Sequence, residues 1–129
     1  MRTKARETVF QIVFASQFGG ADNGLKSALY KKEKLTDDDI VYAENVLSVI
    51  GEHREEFADI IDKRSTAFPE SGLFPADKSV LLVALAEMLY MDDIPRAVSI
   101  NEAANIASVY SSEKSASFIS GILSEVYKN

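Results

Sequence analysis

Asp92-Asp93-Ile94-Pro95-Arg96-Ala97-Val98-Ser99-Ile100-Asn101-Glu102-Ala103 joins the two segments whose reading decides the fold. Before it, Val80, Leu81, Leu82, Val83, Ala84, Leu85, Met88 and Leu89 are apolar almost all round, the pattern of a central helix packed on several sides. Asp92 to Pro95 form a tight turn, which ends that helix near Met91. Beyond the turn, a helix from about Ser99 to Tyr110 presents Ile100, Ala103, Ala104, Ile106 and Ala107, mostly small residues that allow close packing. A last helix, about Ser115 to Tyr127, buries Phe118, Ile119, Ile122, Leu123 and Val126.

Working outward to the N-terminus, apolar residues keep helical spacing and no stretch alternates as a strand does, so the fold class is all-α with about six to seven helices. The first helix is predicted from about Thr3 to Phe18, with Ala5, Val9, Ile12, Val13 and Ser16 on one face, stopping at Gly19-Gly20. On the adjoining surface Arg2, Arg6, Phe10, Phe14 and Phe18 follow one another at i,i+4, a cationic start leading into an aromatic stripe. A weaker helix covers about Gly24 to Lys32. Thr36 is the expected N-cap of the next, with Asp37, Asp38 and Asp39 at its positive end and Val41, Val46, Leu47, Val49 and Ile50 on its apolar side, running to about Glu52. A further helix holds Phe57, Ile60 and Ile61 and reaches about Thr66. Two prolines and a glycine between Phe68 and Pro75 mark the boundary between an N-terminal lobe, about 1–68, and a C-terminal lobe, about 75–129, of a single domain.

At 129 residues with 47% hydrophobic and 26% charged side chains, the chain has the balance of one folded domain and not of a disordered one. Cysteine is absent, which excludes disulfides, thiolate metal sites and cysteine nucleophiles together, and the expected compartment is the cytoplasm. No export or membrane segment is implied, because the apolar stretch after the N-terminus is short and broken by Gln11. The net charge of −6 argues against a nucleic-acid partner only if the charge is even, and it is not: Arg2, Lys4 and Arg6 open the chain before any acid. Those three cations have two readings, a solvated helix start or a phosphate-contacting end. Phe10 and Phe14 likewise read as core or as a platform for an unpaired base beside Arg6.

Catalytic chemistry finds little material. His53 is the sole histidine, in the polar stretch Gly51 to Glu56, and reads as a surface or helix-junction residue. The three aspartates at 37–39 point in different directions from successive helix positions, which suits helix N-terminal charge and not a metal site. Phosphate-binding glycine motifs are absent, so no cofactor, no metal and no enzyme activity are expected. The hydroxyl-rich run Ser111 to Ser117, with Lys114 inside it, suits helix capping first and phosphate or sugar contacts second.

The segment from Asp92 to Ala103 resembles the signature of the NusB family, an acidic and proline turn before V-x-I-N-E-A. It is flanked in the family's order by Asp77-Lys78-Ser79-Val80-Leu81, by Ala84 to Glu87, and by Phe118-Ile119-Ser120-Gly121-Ile122-Leu123. Ala5-Arg6-Glu7 with Gln11 is similar to the family's opening. The resemblance is strong from Pro75 onward and weak from Gly19 to Phe74. It implies two packed three-helix subdomains and a transcription antitermination adaptor. Such an adaptor binds boxA-type single-stranded RNA together with a small-subunit ribosomal protein and acts on elongating RNA polymerase in ribosomal RNA synthesis.

Carried over by position, the resemblance implies RNA contacts at Arg2, Lys4, Arg6, Gln11 and Phe14, and at Lys114, Ser117, Phe118 and Ser120. It places the ribosomal-protein contact at Asp77, Lys78, Leu82 and Glu87. The chain departs from the family at Phe68, Leu82, Ala86, Ser117 and Ser120, where Trp, Arg, Tyr, Lys and Asn are usual. Lys114, at a position often acidic in the family, restores one cation near Ser117. A competing expectation is a divergent protein-interaction domain, such as a homodimer, that has lost or altered RNA binding. An RNA-modifying enzyme is the third class, and with the chain ending at Tyr127-Lys128-Asn129 no catalytic domain is expected to follow.

Overall fold

The computed structural model describes residues 2–20, 22–65 and 72–128, and these form seven helices with no strand among them. The first, α1 (Arg2–Ser16), ends where Gly19 takes φ +76°, a left-handed conformation open to glycine at little cost. Gly20 N–H then donates to Ala15 O at 3.0 Å, closing the last turn. Helix α2 (Asn23–Lys32) starts on Asp22, whose side chain accepts from Leu25 N–H at 2.8 Å. It ends in the same way as α1 but with the wrong residue, since Lys34 holds φ +55° while Leu35 N–H reaches Tyr30 O at 3.0 Å. A Cβ in that conformation is strained, so Lys34→Gly is expected to raise the unfolding free energy by about 1 kcal/mol in urea titration. A neutral or destabilising result would show that the lysine stem contributes as much as the turn costs.

Helix α3 (Asp37–Glu52) carries the N-cap expected at Thr36, completed as a reciprocal box: Asp39 N–H donates to Thr36 Oγ1 at 3.1 Å and Thr36 N–H to Asp39 Oδ2 at 3.2 Å. Helix α4 (Arg54–Arg64) follows after a single junction residue, His53. Helix α5 (Pro75–Tyr90) has its proline in the first turn, where the missing N–H would have had no partner in any case. Helices α6 (Arg96–Tyr110) and α7 (Glu113–Lys128) complete the chain. Pro95, with φ −60°, serves as the N-cap of α6, which therefore begins three residues before the expected Ser99.

Every residue of α5 from Ser79 to Met88 is buried, as its all-round apolar pattern requires. It is the common axis: α1, α3, α6 and α7 all pack against it around one buried cluster. Helix α1 runs antiparallel to α5, since Arg6 meets Glu87 near the end of α5 whereas Gln17 donates to Pro75 O (2.9 Å) and Ser79 Oγ (2.6 Å) at its start. Two expected core positions face solvent instead. Ser16 is exposed, and Val41 lies off the Tyr42, Ala43, Val46 and Ile50 face by which α3 is buried. Phe10 takes the core reading of its pair. The expected lobe boundary falls largely on residues 66–71, outside the described residues, as does Phe68. Among the described residues no helix is long and apolar enough to cross a membrane.

Candidate nucleic-acid and protein interface

The centre of α1 holds a buried charge and not a binding surface. Arg6 is 3% exposed and Glu87 is fully enclosed. Arg6 Nε donates to Glu87 Oε2 at 2.6 Å and Nη2 to Oε1 at 3.1 Å, a two-pronged geometry that matches the guanidinium fork to the carboxylate. Ser99 Oγ adds a donation to Oε1 at 2.8 Å, and the Tyr42 hydroxyl a short one to Oε2. Burial by itself lowers the Arg6 pKa, but the hydrogen bond and charge of Glu87 outweigh it, and the net direction is up. Burial and the Glu87 charge push the Tyr42 phenol far above its ordinary value, so it remains a donor.

This network corrects three sequence-based expectations. Arg6 is withdrawn from the RNA-contacting set, because its cation is spent on Glu87. Glu87 is withdrawn from the partner face, being enclosed among α1, α3, α5 and α6. Leu82 goes with it: both Leu82 and Ala86 are buried, so the residues that stand there in place of the family's arginine and tyrosine fill core.

The other cations of the N-terminus are exposed. Arg2 stacks its guanidinium 4.4 Å from the centroid of the Tyr42 ring, and Lys4 sits 3.5 Å from Glu33 across to the end of α2. Toward the other end of α1 the surface turns aromatic. Phe14 (37% exposed) and Phe18 (66%) lie 5.2 Å apart between ring centroids, and Phe10 packs 4.8 Å from Tyr110 at the end of α6. Gln11 donates to the Tyr110 hydroxyl at 3.1 Å, and that hydroxyl donates to Glu7 at 2.5 Å. Burial and the Glu7 acceptor raise the Tyr110 phenol. Gln11 is thereby committed to holding Tyr110 in place. Phe10, Gln11, Phe14, Ala76 and Tyr110 line a shallow depression of about 220 Å³.

At the start of α7, Ser112 caps the helix by accepting from Ser115 N–H at 3.0 Å. Ser115 Oγ in turn donates to Asp77 Oδ2 at 3.0 Å, tying the first turns of α7 and α5 together. Asp77 is consequently buried and Lys78 partly so. Lys114 and Ser117 are exposed, while Phe118 and Ser120 are half-buried. Phe74, one residue before α5, is 72% exposed across a groove of about 380 Å³ that also borders Asp77, Lys114 and Phe118.

The residues assigned from the sequence therefore separate into two places. Phe14 lies near the α5 start through Ala76, on the same end of the molecule as Asp77, Lys114 and Phe118. Arg2 and Lys4 lie toward the other end of α5, with Thr3 Oγ1 donating to Glu102 at 3.0 Å. Sequence reasoning missed Phe74, Tyr110 and Ser99. Tyr110 was signalled by its place beside Val109 in the last turn of α6, whereas nothing local marks Ser99 as a ligand of Glu87.

The sequence pattern of the NusB family matches residues 3–128. The chain is 32% identical over 127 residues to the transcription antitermination protein NusB of Agathobacter rectalis, covering 96% of this chain and 97% of that one. Its fold is similar to T. maritima NusB, with a TM-score of 0.91 and 27% identity over 100% of this chain and 92% of that one. It also superposes, with a TM-score of 0.86 and 23% identity, on a chain from a crystal structure of antitermination factors NusB and NusE in complex with dsRNA, covering 98% of this chain and 96% of that one.

Proposed function

The chain belongs to the NusB family, and from that premise we propose that it is a transcription antitermination adaptor that binds boxA-type single-stranded RNA jointly with a small-subunit ribosomal protein. The assembled complex acts on elongating RNA polymerase during ribosomal RNA synthesis. The observation that carries the RNA half of this reading is the start of α7, where exposed Lys114 and Ser117 flank the partly open Phe118 ring on a chain of net charge −6. A cation, a hydroxyl and an aromatic face are what a strand with unstacked bases requires. Arg2 and Lys4 extend the basic contact at the far end of α1. The aromatic strip of Phe14, Phe18 and Tyr110 is taken here as the surface for the ribosomal protein, which moves Phe14 from the RNA contacts that the resemblance implied, since partner interfaces are enriched in exposed aromatics of this kind. Asp77 and Lys78 border that strip through Ala76.

Fluorescence anisotropy with a boxA-like strand, titrated over several salt concentrations with and without the ribosomal protein, tests the reading. Arg2→Ala with Lys4→Ala is expected to weaken binding and to flatten the salt slope by about 1.4, or roughly 0.7 for each phosphate no longer neutralised. Arg6 is left intact in this variant, because its removal strands Glu87 and confounds binding with unfolding. An unchanged slope removes the N-terminal end from the RNA surface. A stable dimer in light scattering, with no RNA bound even beside the ribosomal protein, sinks the adaptor reading in favour of a self-associating domain.

A further inference from the structure

Helix α2 ends in a run of lysines, Lys31, Lys32 and Lys34, that neither the core nor the surfaces described above employ. With Lys26 they place four of the chain's 14 basic side chains within residues 26–34, on a chain whose net charge is −6. Lys26 is engaged by Glu44 at 3.3 Å. Lys31, Lys32 and Lys34 are exposed and make no ion pair among the described residues. Glu33, the carboxylate between them, is held by Lys4 of α1 at 3.5 Å. That ion pair joins two basic segments: the Cα atoms of Lys32 and Lys34 lie about 3.8 Å from that of Glu33, which sets both beside Lys4, and Arg2 follows two residues away on α1. Five cations thus surround one neutralised carboxylate, with Asp37 and Asp38 next along the chain at the positive end of α3.

On the premise of the RNA reading above, we propose that the end of α2 carries the phosphate backbone of the RNA flanking the single-stranded element, continuing the contact at Arg2 and Lys4 without reading base sequence. The helix dipole accounts for Lys31 and Lys32 in the last turn, but not for Lys34, which lies beyond the C-cap Glu33. Lys34 holds φ +55°, where glycine would be less strained, so a cation is kept at a position whose backbone favours another residue. Ammonium groups on flexible stems act as point charges and suit a phosphate path more than a base edge. No large apolar side chain of α2 is exposed, and the Tyr30 hydroxyl is committed to Glu44 at 2.7 Å. The surface therefore lacks both the apolar centre of a protein interface and an open ring on which a base could stack.

The test uses a boxA-like single strand alone and the same strand extended by about eight uridines at its 5′ or its 3′ end, read by anisotropy over a range of salt. One of the extended strands is expected to bind the wild-type chain more tightly than the short one. That gain should shrink roughly 15–20-fold between 50 and 200 mM salt, a slope of about 2 at roughly 0.7 for each of three phosphates. Adenosines in place of the uridines should give the same gain. Changing Lys31, Lys32 and Lys34 together to alanine is expected to abolish the gain and leave the short strand bound as before. Lys34→Gly alone should remove about a third of the added slope while stabilising the fold, which separates lost binding from unfolding. Extended strands that bind no more tightly than the short one, or a gain that survives the triple variant, overturn the proposal and leave the RNA reading standing. Absence of binding to every strand overturns both. A triple variant that loses affinity for the ribosomal protein and keeps the gain also overturns the proposal and gives the end of α2 to the protein.

Discussion

Replacing Glu87 with leucine is expected to cost about 3–5 kcal/mol of unfolding free energy, seen in urea as a lower midpoint at an unchanged slope. The leucine removes the acceptor for both prongs of Arg6, for Ser99 and for Tyr42, while the guanidinium stays 3% exposed. Glu102, at 3.4 Å from Nη1, is the remaining carboxylate in reach, and it is partly solvated. Pairing Arg6→Met with Glu87→Leu should return most of the loss, because a buried pair exchanged for apolar side chains of similar bulk is nearly neutral. A double variant as unstable as Glu87→Leu alone would mean that the cost comes from stranding Tyr42 and Ser99 and not from the uncompensated cation.

Phe57→Ala is expected to cost a similar amount, about 3–5 kcal/mol, for a different reason. Only Phe57 and Ile61 of α4 are buried, so the attachment of this helix rests on two side chains. Phe57 is fully enclosed and packs 6.0 Å from the Tyr90 ring, which itself stacks on His53 at 4.0 Å. The cavity left by alanine removes one of the two anchors. Hydrogen exchange should show amides of α4 opening well before those of α6. A uniform loss of protection across all helices would mean that Phe57 supports the whole core and not one helix.

The secondary structure was legible because its signals are local. Thr36 with Asp39, Pro75 in a first turn and the left-handed Gly19 each act within a few residues of the feature they set. The central helix was legible from its all-round apolar pattern, and the family from the turn and motif around Pro95. The site was less legible. Arg6 reads as a surface cation beside Arg2 and Lys4, and only its meeting with a residue 81 positions away turns it into core. Leu82 and Ala86 read as altered contacts because a family position does not state which way this chain's helix is turned. Phe74 read as part of a loop, and its exposure depends on how α5 and α7 are tied by Ser115 and Asp77.

The antiparallel course of α1 along α5 makes α1 a ruler. Ten residues separate Lys4 from Phe14, and at 1.5 Å each they hold the cationic and aromatic ends about 15 Å apart on a rod that does not shorten. A ligand spanning less than that distance meets one end or the other. One that spans it is measured for length as well as for composition, and each end is open to change by substitution without disturbing its counterpart, provided that the buried Arg6 between them keeps its partner.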